Sequence, residues 1–373
     1  MMMRKHWMDN LRWTTVLLVL FYHVFYFYNN KGVFGGIGGF GTYPECPQYQ
    51  DVVMYVLYPW IMPLLFLLAG VSARYALQRQ SSREWFRGRT RKLMVPATIG
   101  LFVFQWMAGY FNTHIQGSDK LADVPQPFKY LGWSLNGIGP LWFIQLLWVL
   151  CLVLLVLRKL DSRDKLWNWC GKANTTTIIL LGVLYWLGMQ TLITLPAVIA
   201  PDAKTILTGI YNLYKPFFYL VPFLLGYFVF SHDTIQEKVQ RAWMPLMAGA
   251  VVAAAVLTAT TFGENNTTPE YLGRPLHCLY SWLMCLAMMG WFRACFDRTG
   301  RFATYMTRSS FGIYIVHYLF VAGLGYLMKF YTAWPPVAMY LILTLAVFTL
   351  SPLTYALLRR IPLIRWCVLG EKT

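Results

Sequence analysis

The sequence predicts an all-α polytopic integral membrane protein, with about ten transmembrane helices and both termini in the cytoplasm. Three observations carry that prediction. The chain is 57% hydrophobic and 17% aromatic but only 13% charged, well beyond the apolar content of an average soluble domain. Windows of about 20 apolar residues, long enough to cross roughly 30 Å of hydrocarbon, recur along its whole length. Lys and Arg also concentrate in alternate connections, which is the positive-inside bias of membrane proteins.

The first window, 11–29, follows the basic flank MMMRKHWMDN. Its apolar run is too long for a cleavable signal peptide and lacks a small-residue cleavage site, so it reads as a signal anchor. Further windows follow at 53–73, 94–112, 140–157, 174–195, 214–231, 243–262, 276–296, 309–330 and 336–357. With Met1 inside, the cytoplasmic stretches hold 3, 7, 5, 2, 4 and 4 Lys/Arg in chain order, 25 of the 32 present. The net charge of +17 is therefore mostly topology, and nucleic acid is not an expected partner.

The longer outer connections, 30–52, 113–139, 196–213 and 263–275, are rich in Gly, Pro, Asn and Tyr. They suit a roof over a cavity better than a separate domain, so residues 1–373 are expected to form one transmembrane domain. No internal repeat suggests a transporter built from duplicated halves. KGVFGGIGGFGT at 31–42 looks like a phosphate-cradling loop. It follows a membrane helix rather than a strand and lacks the Lys-Ser/Thr ending, so it is read as a flexible loop. The seven cysteines form no CxxC pair or metal-ligand spacing, and Cys46 alone falls on the outer side. Neither a bound metal nor a structural disulfide is expected.

None of the 15 Asp and Glu residues falls in the middle of a window; Asp9 and Asp51 come closest. Proton-coupled pumps usually carry buried carboxylates, so this counts against that class. The ionisable groups inside the membrane reduce to His23 and His317. Arg12 and His23 are eleven residues apart in LRWTTVLLVLFYHVFYFY. That is very nearly three turns at about 3.6 residues each, so both project from one helix face, roughly 16 Å apart along the axis. Arg12 then lies at a membrane edge and His23 near the bilayer centre, where an imidazole is costly and a functional candidate.

His317 lies nine residues after Arg308, which places it roughly 13 Å into the bilayer from the same side. Ser310, Tyr314 and His317 occupy i, i+4 and i+7 of one stripe. The competing explanation for both histidines is a hydrogen bond to a neighbouring helix, a common use of polar groups in membranes. His277 sits at an outer boundary, and His6, His114 and His232 in flanks or loops; structural roles are expected for these four. In SSREWFRGRTRKLMVP, residues 81–96, Arg89 and Lys92 share a face at the inner mouth of the bundle. They suit either a phosphorylated cytosolic ligand or lipid headgroups. Arg83 and Arg87 suit plain anchoring.

Taken together, these motifs resemble the membrane-bound acyltransferase family 3 over essentially the whole chain. The Arg-x10-His signature of that family matches Arg12 and His23, and its FFxxSG-like helix end matches Leu65-Phe66-Leu67-Leu68-Ala69-Gly70. A basic Arg-x-x-Arg element before a Pro matches Arg89-Thr90-Arg91-Lys92 with Pro96. A Trp-Phe pair matches Trp142-Phe143, and a late Ser-x-Gly-x-Tyr-x-x-His element matches Ser310, Gly312, Tyr314 and His317. The layout is similar to glucan biosynthesis protein C-like members, associated with succinyl transfer. Two departures stand out: Ala69 replaces a Ser, and Lys92 replaces the second Arg of its motif.

The resemblance implies an O-acyltransferase of the bacterial cytoplasmic (inner) membrane. It would move an acyl group, most often acetyl, from cytosolic acyl-CoA to a hydroxyl of a cell-envelope carbohydrate, glycolipid or small molecule. His23 is then the expected general base, or alternatively a transient acyl carrier. Arg12 orients the donor, Arg89 and Lys92 hold coenzyme A phosphates, and Tyr314 and His317 line the same cavity. Trp142 and Phe143 shape its wall. Outer aromatics such as Tyr43, Tyr49, Trp133 and Tyr271 are expected to present a sugar-binding face. The alternatives are a transporter or flippase for an amphipathic metabolite, without covalent chemistry, and a non-catalytic scaffold. The acceptor, the acyl chain, O- versus N-acylation and the oligomeric state stay open.

Overall fold

A computed structural model describes residues 5–28, 49–115, 121, 123–199 and 206–371. The 31–42 loop, Tyr43 and Cys46 lie outside the described residues. Among the described residues the regular structure is entirely helical, and no strand is present. In chain order the helices are α1 (His6–Phe27), α2 (Val52–Leu77), α3 (Ser82–Gly100), α4 (Trp106–Ile115), α5 (Gln126–Asn136) and α6 (Leu141–Leu160). Next come α7 (Lys165–Cys170), α8 (Thr175–Ile199), α9 (Ile206–Tyr214), α10 (Pro216–Phe228), α11 (Asp233–Arg241) and α12 (Trp243–Thr261). The last are α13 (Pro269–Leu272), α14 (Pro275–Cys295), α15 (Arg301–Tyr331), α16 (Pro336–Leu358) and α17 (Pro362–Leu369). A π-helical turn, Leu101–Gln105, joins α3 to α4.

Eight segments among the described residues are long and apolar enough to cross a membrane: α2, the α3–α4 rod, α6, α8, α12, α14, α15 and α16. They match eight of the ten expected windows. The window at 214–231 belongs to a ninth candidate, a bent pair in which Gly209–Phe228 and Asp233–Arg241 meet at 107°. Pro216 starts α10, and the polar run DTIQEKVQR of α11 cannot continue an apolar span. The first window is a helix, but α1 is not among the eight. Arg12 and His23 interrupt its apolar run. Within the connection 113–139, Gln126–Asn136 form α5.

The rod containing α3 starts twelve residues before the expected window, and a capping box explains why. Ser81 Oγ accepts from Glu84 N at 3.3 Å while Glu84 Oε2 accepts from Ser81 N at 3.1 Å, satisfying two donors that a helix start leaves open. The basic cluster Arg83–Lys92 is therefore helical rather than a flanking tail.

The chain divides into two compact units. The first comprises Met1–Thr15, Tyr55–Phe86 and Val149–Thr307; the second comprises Val16–Met54, Arg87–Trp148 and Arg308–Thr373. In the first unit α2 crosses α10 at two glycines. A Cβ on Gly70 would sit 2.0 Å from the Phe223 carbonyl oxygen, and one on Gly226 would sit 2.1 Å from that of Leu67. Backbones approach this closely only where both residues lack a side chain, the usual small-residue solution for helices in lipid. In the second unit α1, α15 and α16 are tied through Tyr28. Its hydroxyl donates to the Val321 carbonyl at 2.9 Å, and its own carbonyl accepts from the Tyr340 hydroxyl at 2.6 Å.

Candidate active site

The second unit brings together the two histidines singled out by depth. α1 supplies His23 and α15 supplies His317, with ring centroids 5.0 Å apart and His317 Nε2 3.0 Å from His23 Nδ1. His317 is fully buried, whereas His23 is partly accessible. The second contact of His317 fixes the protons. Its Nδ1 lies 2.6 Å from the Tyr314 carbonyl oxygen, and a carbonyl can only accept. His317 therefore carries its proton on Nδ1 and presents a lone pair at Nε2. His23 must then donate from Nδ1, which leaves the lone pair of His23 on Nε2.

This arrangement suits a general base, since an orienting partner holds one ring nitrogen and the tautomer leaves the lone pair on the other. A neutral imidazole stands where a carboxylate orients the base in a Ser-His-Asp triad. Among the described residues no group of three or more His, Cys, Asp and Glu could hold a metal ion.

Of the late motif, Tyr314 stands beside this pair, its ring 5.7 Å from that of His317. Tyr314 donates its hydroxyl to the Pro140 carbonyl, which anchors the turn ahead of α6. Phe143 lies edge-on to Tyr314 at 6.0 Å and to Trp142 at 6.4 Å. Tyr22, Tyr26 and Tyr318 stand 5.6, 6.1 and 5.7 Å from the His23 ring. The histidine pair is thus walled by aromatic side chains.

Arg12 belongs to the first unit. Its guanidinium donates to Ser72 Oγ at 2.8 Å and pairs with Asp9 at 3.3 Å. These groups line a cavity of about 810 Å³ together with Lys5, Tyr75, Arg79, Trp167, His232, Asp233 and Asp297, a volume in the range of small-molecule sites. Its cations and carboxylates balance. Lys5 is engaged by Asp233, by the Tyr75 hydroxyl at 2.8 Å and by Gln236 Oε1 at 2.8 Å. Arg79 is exposed and makes no ion pair among the described residues.

Behind the cavity wall, Arg74 is buried and grips Asp164 with two bonds of 2.7 and 3.0 Å. That hydrogen bonding holds the Asp164 carboxyl below its usual range. Arg74 also lies 4.1 Å over the Trp167 ring, and His232 stacks on Trp167 at 3.9 Å. Burial, the largest influence, and the charge of Arg74 push the His232 imidazole below its ordinary value.

Several sequence expectations meet a different setting. Arg89 and Lys92 lie on α3 in the second unit and do not line the Arg12 cavity. Lys92 sits 5.1 Å over the Phe311 ring. Tyr271, expected to display an outer aromatic face, is instead buried, and its hydroxyl lies 2.9 Å from that of Thr261. Burial pushes its phenol up to about 12. Tyr49 is exposed, and Trp133 packs edge-on against Tyr110 at 5.2 Å. Gly70 acts in packing, as the α2–α10 crossing shows. The cavity residues Trp167, His232 and Asp233 were not legible in advance, because they come from connections between spans.

An apolar helical protein with eight membrane-length segments among its described residues and a hydrogen-bonded histidine pair on two of its helices is, as a class, an integral membrane protein. Residues 5–356 match the family described as "Acyltransferase domain", and the chain belongs to that acyltransferase family. No curated protein and no solved structure matches the chain.

Proposed function

We propose that this membrane acyltransferase moves an acyl group, most simply acetyl, from acyl-CoA to a hydroxyl of a carbohydrate or related acceptor. The observation that carries the proposal is the fixed polarity of the His23–His317 pair. His23 Nε2 takes the proton of the attacking hydroxyl, whose oxygen bonds to the thioester carbonyl carbon. The tetrahedral intermediate then collapses, the bond to sulfur breaks, and the thiolate receives the proton back from His23. His317 keeps His23 in the right tautomer and accepts its Nδ1–H while the ring is charged.

Arg12 and its cavity are assigned to the donor. The balanced lining suits the neutral, amide-rich pantetheine arm better than a bare polyphosphate, and exposed Arg79 is available to phosphate at the rim. Arg89 and Lys92 stay assigned to donor phosphates on the strength of their motif. The chain is placed in the bacterial cytoplasmic membrane with both termini inside, in keeping with its Lys/Arg asymmetry. The test is acyl transfer from labelled acetyl-CoA by purified protein carrying His23→Ala. Loss of transfer in a correctly folded variant is expected. Retained transfer would refute the assignment, and movement of substrate without any labelled ester would point to transport instead.

A further inference from the structure

We propose that Gln105 and Asn112 form a hydrogen-bonding strip for the acyl acceptor, and that this strip selects a neutral, polyhydroxylated molecule. The inference rests on the reading of His23 as the base for acyl transfer. Gln105 ends the π-helical turn and Asn112 lies seven residues on, in α4. Seven residues are about two turns, so the two side chains share one face of the rod.

Both amides are oriented by partners that can only accept. Gln105 Nε2 donates to the Ile315 carbonyl at 2.7 Å, and Asn112 Nδ2 donates to the Asn136 carbonyl at 3.0 Å. Each amide oxygen must therefore face the other way. Gln105 Oε1 and Asn112 Oδ1 meet no protein donor, although the residues are only 1% and 8% exposed. Buried acceptors left in this state are costly and rare in folded proteins. Two of them on one helix face, beside a candidate base, mark a place where a ligand's donors fit.

The strip reaches the histidine pair through α15. Asn112 lies beside Tyr318, whose ring is 5.7 Å from that of His23. Ile315, which holds Gln105, precedes His317 by two residues. The turn 137–140 closes the other side. A Cβ on Gly137 would sit 2.2 Å from the Gln105 carbonyl oxygen, and Gly139, at φ +37°, packs against the Tyr318 ring. Two amide oxygens and an aromatic face recognise O–H donors and offer nothing to an anion. Coenzyme A phosphates are therefore the wrong occupant, and a sugar is the right one. The two residues are separated by about 10 Å along the rod, which calls for hydroxyls on two linked rings rather than on one.

The experiment is protection of His23 from carbethoxylation by diethylpyrocarbonate, with the full chain in detergent and the α1 peptide read by mass spectrometry. Maltose, cellobiose and sulfate are the probes. At least one disaccharide should slow modification of the wild type while sulfate does not. In Gln105→Met and in Asn112→Leu the half-protecting concentration should rise about tenfold, the loss of one hydrogen bond. Asn112→Ser replaces Asn112→Leu where the latter does not fold. Absence of protection by either disaccharide in the wild type, or equal protection of both variants, overturns the proposal. Because protection needs no turnover, failure of the wild type to transfer acetyl would refute the acyltransferase reading separately.

Discussion

Replacing His317 separates a catalytic histidine pair from two helices joined by a convenient polar contact. His317 is completely buried and makes two hydrogen bonds, of 3.0 Å to His23 and 2.6 Å to the Tyr314 carbonyl. His317→Ala removes the acceptor for His23 Nδ1–H. The net value of that bond alone is about 0.5–1.5 kcal/mol, between twofold and about tenfold in the population of the productive tautomer. Rotational freedom of the His23 ring adds to it, and a wrong-tautomer base costs as much as about 10⁴-fold in a serine protease. For a neutral orienting partner we expect kcat to fall about 10²-fold, close to 2.7 kcal/mol of barrier. His317→Gln retains an acceptor oxygen and should recover to within about tenfold of the wild type. His317→Phe fills the volume without accepting, and should behave like Ala. The assay is single-turnover acetyl transfer from acetyl-CoA, with thermal unfolding measured in parallel. If Phe restores activity better than Gln, the contact is packing and the catalytic pair is refuted.

Other expectations follow from the first unit. Arg12→Ala should raise the KM for acyl-CoA about tenfold, leave the acceptor KM unchanged, and change stability by less than about 1 kcal/mol, because its ion pair with Asp9 is partly exposed; titration of both substrates checks this. The Arg74–Asp164 pair should respond asymmetrically, since the Arg74 side chain is 5% exposed and that of Asp164 45%. Asp164→Asn strands a buried cation and should cost about 2–3 kcal/mol, whereas Arg74→Met should cost less, as judged by denaturation in detergent. Arg74 depresses the Asp164 pKa, so the pair's contribution is complete above about pH 4 and is lost as pH falls further; a flat acid limb in wild type would contradict it. Gly70→Ala places a Cβ against the Phe223 backbone and should cost at least about 3 kcal/mol, seen as lost well-folded protein on size exclusion.

Legibility in the sequence followed the kind of signal each element leaves. Long apolar spans are written in composition, so eight of them lie close to where hydropathy put them. The bent α10–α11 pair and the early start of α3 depend on the polar run after Phe228 and on a capping box, which local windows average away. His23 and His317 were legible because an imidazole in hydrocarbon is conspicuous and helix rise gives its depth. Their contact through particular nitrogens was not, since tautomers depend on where the Tyr314 carbonyl lies. Gln105 and Asn112 leave no comparable mark in the sequence, because amides carry no charge. Tyr271 misled for a related reason: its place in a connection says nothing of the Thr261 hydroxyl beneath it.

The hydrogen-bonded line that begins at His23 stops at the peptide carbonyl of Tyr314, which has no proton to hand on. A proton lifted from a hydroxyl therefore has no exit through the protein interior along this route. On the proposed reading it would leave from the nitrogen on which it arrived, with the departing thiolate as the base that takes it. One nitrogen then serves first as base and next as acid within a single turnover. On the proposed acyl-transfer reading, thioester and hydroxyl would then be present together, and the expected kinetic order is a ternary complex rather than a shuttle in which the donor leaves before the acceptor comes. A dead end in the wiring sets the sequence of events.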